Sequence, residues 1–396
     1  MQNLRLAEQF QKWELAHFIL QLLGKIYEKL GRKSELKSLR KQALCKVGMY
    51  LAEAKKKGAS AFNFWIYLQI VDIEELVEKS DIEKARKNYQ IILNDLIALH
   101  DSSANEQIAV MYDNLGRIAD KKRDFAEALN YYLKAIEIYE GGKNLYQAAG
   151  IYYQMGMAYR QQKELKRASE YYQKALENHK CAGDWYEVAH DYYGMGQVAE
   201  EEHSFGEATE YYQKACGIFQ NHQDFHRVAL AHHQLGGIAL RLENYKKAER
   251  FYRNALKFFE DTGNDYRVAH VYHNLGTLSW MKQEPDNEAA INYYQKAFTI
   301  FNKFQHWSEA SLTLGNWGRA LEAQENYLDA MKIYIRFWGI NFEHQLEWIN
   351  GSCKALARML KQLGEDQFEI MWKEVTGEDC TGETRDIIWS VRDNLE

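Results

Sequence analysis

A unit of about forty residues recurs through the middle of the chain, and that period constrains the fold more than any other feature. One copy reads Ala149, Tyr152, Met155-Gly156, Leu165, Ala168, Tyr171-Tyr172, Lys174-Ala175. The pattern returns as Ala189, Tyr192, Met195-Gly196, Phe205, Ala208, Tyr211-Tyr212, Lys214-Ala215, and again as Ala229, Leu235-Gly236, Tyr245, Ala248, Phe251-Tyr252, Ala255. An earlier copy runs from Ala109 through Leu115-Gly116 to Tyr131-Tyr132 and Ala135. A later one runs from Ala269 through Leu275-Gly276 to Tyr293-Tyr294 and Ala297, lengthened around the single proline, Pro285. Gly318, Tyr327 and Ala330 carry a sixth. A fixed period of this size encodes stacked units that touch only their neighbours.

Within a unit the apolar and small positions step by three and four residues, the spacing of a helix with one buried face. Short polar breaks such as Gln161–Glu164 and Leu242–Asn244 divide each unit into two antiparallel helices. Gly116 and its equivalents fall inside the first helix, where glycine costs roughly 1 kcal/mol against alanine. Its recurrence there requires close approach of a neighbouring helix. Ala128, Ala168, Ala208, Ala248, Ala290 and Ala330 take the same part in the second helix, and the tyrosine pairs fill the space between small residues.

These positions resemble the tetratricopeptide repeat, in the forty-residue variety found in LGN/Pins-type scaffolds and in bacterial signalling proteins. The resemblance implies an all-α fold, a right-handed α-solenoid (superhelix) of helical hairpins. Six repeats are expected over 101–341. Residues 1–100 read as divergent hairpins: Gln9–Val47 with Gly24, Tyr27, Leu36 and Ala43, then a loop at Lys55–Ser60. Phe64–Ile97 follows, with Ile73 in the glycine position ahead of Ala85 and Tyr89. A capping hairpin is expected over 342–376 around Gly364, because a terminal unit must cover apolar surface. Residues 377–396 read as a tail or a short docking helix built on Ile387-Ile388-Trp389.

Composition removes several classes of function. Fifty basic against 56 acidic residues give a net charge of −6, which argues against a nucleic-acid binder selected for bulk positive charge. No apolar run is long enough to span a membrane, and Met1–Phe10 is polar rather than signal-like. Cys45, Cys181, Cys216, Cys353 and Cys380 are far apart, without metal or disulfide spacing. They read as reduced thiols of a cytoplasmic protein. Phosphate-binding loops, a dinucleotide fingerprint and a nucleophile elbow are all missing. The expectation is therefore no cofactor, no nucleic acid, no membrane and no catalysis. One cluster tests it: His190, His232, His233, His270 and His273 crowd three repeats, and neutral imidazoles one helical turn apart can hold a metal. Yet His232 aligns with Tyr152 and His233 with Tyr193, so the imidazoles read as substitutes for rings.

Function then falls to the surface. The resemblance implies that first helices line an inner wall where ligands lie. Two residues before the glycines stand Asn114, Gln154, Gln234, Asn274 and Asn316, with Gly194 in the third repeat. An amide offers donor and acceptor together, and asparagine at this place binds ligand in the resembled family. The carry-over is direct for Asn114, Asn274 and Asn316, less so for the glutamines, and fails at Gly194. Tyr153, His190, Tyr193, His233, His270 and His273 add rings. Arg117, Arg160, Arg241 and Arg319 stand on or near the same face, alongside Asp113, Asp120, Glu200 and Glu201. Since arginine grips carboxylates bidentately, the expected ligand is an extended or acidic peptide, or a free C-terminus. Two alternatives share the fold: a sensor region of a larger bacterial signalling or defence protein, or a peptide-responsive regulator of the quorum-receptor type. An enzyme is the third class, and self-association is compatible with all of them.

Overall fold

The computed structural model describes residues 81–98 and 104–394, with single positions at 20, 39, 66, 70 and 73. Apart from those single positions, the expected hairpin at Gln9–Val47, the loop at Lys55–Ser60 and the first helix of Phe64–Ile97 lie outside the described residues. Among those described there are sixteen helices and no strand, so the fold is the all-α solenoid that the period implied.

The chain divides into two units, Met1–Asp184 and Trp185–Glu396. In the first, α1 (Ile82–Ala98) precedes the hairpins α2 (Asn105–Lys121) with α3 (Phe125–Gly141) and α4 (Leu145–Gln161) with α5 (Leu165–Ala182). Ile73, Ala85 and Tyr89, placed by spacing in the glycine, alanine and tyrosine positions, are buried in one cluster. The second unit opens with α6 (Trp185–Glu201) and α7 (Phe205–Asn221), then α8 (Phe225–Arg241) and α9 (Tyr245–Asp261). It continues with α10 (Asp265–Met281) and α11 (Asn287–Lys303), and α12 (Trp307–Glu322) and α13 (Tyr327–Glu343). It closes with α14 (Ile349–Leu363), α15 (Glu365–Thr376) and α16 (Gly382–Asp393).

The helices stop and restart by one repeated device. After α2 the chain passes through Arg123 at φ +61°, which lets the Asp124 N–H donate to the Ala119 carbonyl at 2.9 Å. That bond consumes an end carbonyl of α2. Asp124 then caps α3, its Oδ1 accepting from the Glu127 N–H at 3.1 Å. Asn144, Asp224, Asn244, Asn264, Asp286 and Asn326 cap their helices in the same way. Each such cap contributes about 1 kcal/mol, and the three-residue turn folds the second helix back on the first.

Packing inside a hairpin follows from the glycines. A Cβ added at Gly116, Gly156, Gly196, Gly236 or Gly276 would stand 2.5–2.9 Å from the ring of Tyr132, Tyr172, Tyr212, Tyr252 or Tyr294, and at Gly318 it would press still closer on Tyr334. No side chain tolerates that approach, so the helix-propensity cost of glycine is accepted to seat a ring. Those six tyrosines are among the largest fully buried side chains, at most 1 % exposed, and the six alanines of the second helices are wholly buried. Only the second tyrosine of each pair fills this slot. The first stays half-buried and stacks on the ring four residues before the glycine, as Tyr131 does on Tyr112 and Tyr293 on Tyr272. A lysine ammonium then sits over both rings: Lys134, Lys174, Lys214 and Lys296 each cap such a pair at 5.1–5.9 Å.

The C-terminal stretch, expected as a tail or docking helix, forms α16 and packs on α14 of its own chain. Ile388 is fully buried, and Trp389 meets the Phe368 ring edge-on at 5.6 Å. Arg385 and Arg392 cover Trp389 and pair with Glu369 and Glu365 of α15. Gly364, at φ +80°, makes the turn between α14 and α15.

Candidate peptide-binding face

The residue three positions before each glycine leaves the first helix beside the buried tyrosine of the second. In the first unit Tyr153 packs edge-on against Tyr172 at 5.4 Å. In the second, Tyr193 and His273 do the same against Tyr212 and Tyr294, at 5.2 and 5.6 Å, and His233 meets Tyr252 at 5.9 Å with the rings tilted. The imidazoles therefore occupy tyrosine positions, as the alignment of His233 with Tyr193 implied. His232 likewise meets Phe251 as Tyr152 meets Tyr171. His190 and His270 go elsewhere, against Phe219 and Phe301. Among the described residues no group of three His, Cys, Asp or Glu side chains is placed to share a metal.

His233 and His273 also tie one first helix to the next. His233 Nδ1 lies 3.3 Å from Gln234 Oε1, and its Nε2 lies 2.8 Å from Asn274 Nδ2 on α10. His273 Nδ1 lies 3.0 Å from Thr313 Oγ1 on α12, with Nε2 3.5 Å from Asn316 Nδ2. The partners fix the tautomer. Thr313 donates its own proton to the Glu309 carbonyl at 2.7 Å, so it accepts from His273 Nδ1–H. Nε2 is then left to accept from the asparagine. The same assignment satisfies His233. Burial lowers both imidazoles to about 4, so each is neutral at pH 7.

Three expected site residues, Gln234, Asn274 and Asn316, are thus joined to two others, His233 and His273, in a ladder of two hydrogen-bonded rungs, α8 to α10 and α10 to α12. All five are half-buried. With one N–H held by an imidazole, each asparagine keeps a second N–H and a carbonyl oxygen. Asn114 and Gln154 are half-buried at the same register in the first unit, and Gly194 is buried in the second.

The arginines do not form one row. Arg117 and Arg319 immediately follow their glycines and are exposed, whereas Arg160 and Arg241 come four and five residues after theirs. Arg241 reaches Glu200 at 3.6 Å and covers the Phe205 ring. In the first unit Asp113 takes the ring position; burial pushes its carboxyl up to about 6, with nearby Arg117 opposing. Its Oδ1 is shut off from water without a hydrogen-bond partner.

Beside Arg319 lies a cavity of about 450 Å³ between α12 and α14, floored by Tyr334 and Phe337. Asn316 and Arg319 line it with Leu312 and Gly315; Trp348, just before α14, and Gly351, Lys354, Arg358 and Lys361 of α14 line it from the other side. Arg358 is paired with Glu322 at 2.6 Å and donates to the Tyr334 hydroxyl at 3.0 Å. Sequence reasoning missed the α14 residues because they lie outside the repeat. One signal was available: 354, 358 and 361 are spaced i, i+4, i+7, which puts three cations on one helix face.

Tetratricopeptide repeat family models match residues 109–141, 147–221 and 227–303. No curated protein sequence matches the chain. Among solved structures, a signal-transduction ATPase with numerous domains and a tetratricopeptide repeat sensor, from Pyrococcus horikoshii, superposes with a TM-score of 0.62 at 18 % identity. That match covers 90 % of this chain and 55 % of that one. The apo form of RapI gives 0.55 at 14 % identity, over 71 % of this chain and 98 % of that. A Rap protein complexed with competence and sporulation factor gives 0.51 at 16 % identity, over 86 % and 96 %. At these identities the likeness is one of fold.

Proposed function

This chain is a tetratricopeptide-repeat protein, and we propose that it is a non-catalytic cytoplasmic scaffold or adaptor that holds an extended or acidic segment of another protein against the first helices of its repeats. The observation that supports this most is the imidazole–amide ladder of α8, α10 and α12. In most hairpins a ring at the preceding position packs on the buried tyrosine, but packing does not require amides in the next position. Amides held at one N–H are already oriented, and so lose little side-chain entropy on gripping a peptide backbone. The neighbouring cations supply affinity for carboxylates.

The test is affinity capture of a partner, followed by titration against Asn274→Ala and Asn316→Ala. Each substitution is expected to weaken binding by about 1–3 kcal/mol, with far-UV circular dichroism unchanged. Binding that survives both puts the site elsewhere. A second role, as the sensor region of a larger signalling protein, draws support from the Pyrococcus protein, whose repeats serve as a sensor. An effector domain encoded in the same gene would favour it.

A further inference from the structure

The junction between α12 and α14 breaks the pattern of the preceding first helices. His233 spans from α8 to α10, and His273 spans from α10 to α12. The equivalent position on α12 is Gly315, which has no side chain to reach α14. A second change accompanies it. Where Ala175, Ala215, Ala255 and Ala297 follow their buried tyrosines by three residues, Phe337 follows Tyr334. Its ring turns under Gly315, 3.3 Å from where a Cβ would be. The floor is therefore filled while the bridge above it is missing. On the opposite side, α14 presents Gly351, whose Cβ would meet nothing within 4 Å. The cavity of about 450 Å³ is the gap these two glycines leave, within the range of small ligand sites.

Its lining has two characters. Leu312 and Trp348, each 41 % exposed, stand with Phe337 and Ala355 as apolar walls. Arg358 and Lys361 line the gap as well, Arg358 neutralised by Glu322, while Arg319 and Lys354 bring the positive charge beside the apolar walls. The apolar walls suit a large apolar side chain; the excess positive charge suits a carboxylate beside it. We infer that this gap is the anchor subsite of the binding face, and that it takes a protein segment in which a large apolar residue adjoins a carboxylate. The carboxylate is either an acidic side chain or the segment's own C-terminus. The ligand residue supplies the bridge that Gly315 omits. This rests on the peptide-binding function proposed above and adds where the segment is anchored and by what chemistry.

The experiment is selection of a phage-displayed random peptide library on the full chain, then fluorescence anisotropy with synthetic copies of the enriched peptides. Enriched sequences are expected to pair a large apolar residue with Asp or Glu, or with a free C-terminus. Amidated and free-acid versions of each peptide separate those two sources. Gly351→Phe fills the gap from a position with open space around its Cβ, and is expected to raise Kd at least tenfold. Lys354→Glu is expected to raise it comparably, and far more for acidic peptides than for their Gln or Asn counterparts. Peptides that bind wild type and Gly351→Phe equally overturn the anchor while leaving peptide binding intact. A selection that enriches nothing overturns both.

Discussion

The position three residues before the repeat glycine is a tyrosine once in each unit, Tyr153 and Tyr193, but elsewhere it carries opposite chemistry in the two units. In the first it is Asp113, a carboxylate with one oxygen sealed from water and unpartnered. In the second it is His233 and His273, neutral imidazoles whose two nitrogens both have partners. Both kinds of residue are half-buried by the same geometry, beside the buried tyrosine of the second helix. Both have shifted pKa values because burial disfavours their charged form. The scaffold dictates how deep this position sits and leaves its chemistry open. The difference is therefore one of sign, and it can be measured.

The largest effect is expected from acid in the second unit. The two imidazoles titrate near 4 when folded, against 6.5 when free. The unfolded chain thus binds more protons between those values, and stability falls as pH drops from 6.5 towards 4. The loss reaches as much as ~3 kcal/mol per imidazole. Hydrogen exchange of α8–α12 should accelerate over that window, and His273→Phe should flatten part of the slope. A flat profile in the wild type would break the comparison.

The opposite slope belongs to the first unit. Asp113 titrates near 6 when folded against 3.8 when free, so its burden appears as pH rises from 3.8 through 6. Asp113→Asn is expected to stabilise α2 and α3 by about 1–3 kcal/mol at pH 7.5, and to leave them unchanged at pH 4. Local hydrogen exchange reads this separately from the second unit, since repeat arrays do not unfold as one block.

A smaller effect separates ring from ladder. At neutral pH, His273→Phe keeps the ring on Tyr294 but leaves Thr313 and Asn316 without their imidazole. The expected cost is about 1–2 kcal/mol in thermal or urea unfolding. No cost would mean that the imidazole serves only as a ring.

How much of this was legible follows from where the signal lies. The Gly116–Tyr132 interlock and its five copies are readable because both residues recur at one spacing, lengthened once around Pro285, and packing needs both. The buried Ile388 and Trp389 were visible only as a short apolar stretch, because a single copy has no period to place it. The ladder was half legible. The amides stood out as a row, but their histidine partners are 41 and 43 residues away, on a neighbouring helix. Gly315 and Phe337 each look like a lapse in the repeat, and only the fold shows that the second fills the floor below the first. Lys354, Arg358 and Lys361 lie outside the repeating positions, so no period marks them.

Photocrosslinking tests most directly whether the first helices hold the ligand. A selected peptide carrying a photoreactive residue is irradiated on the full chain, and the adducts are mapped by mass spectrometry. Adducts on α8, α10, α12 and α14, around Asn274, Asn316 and Lys354, are the expected result. Adducts confined to the second helices α9, α11 and α13 would contradict it.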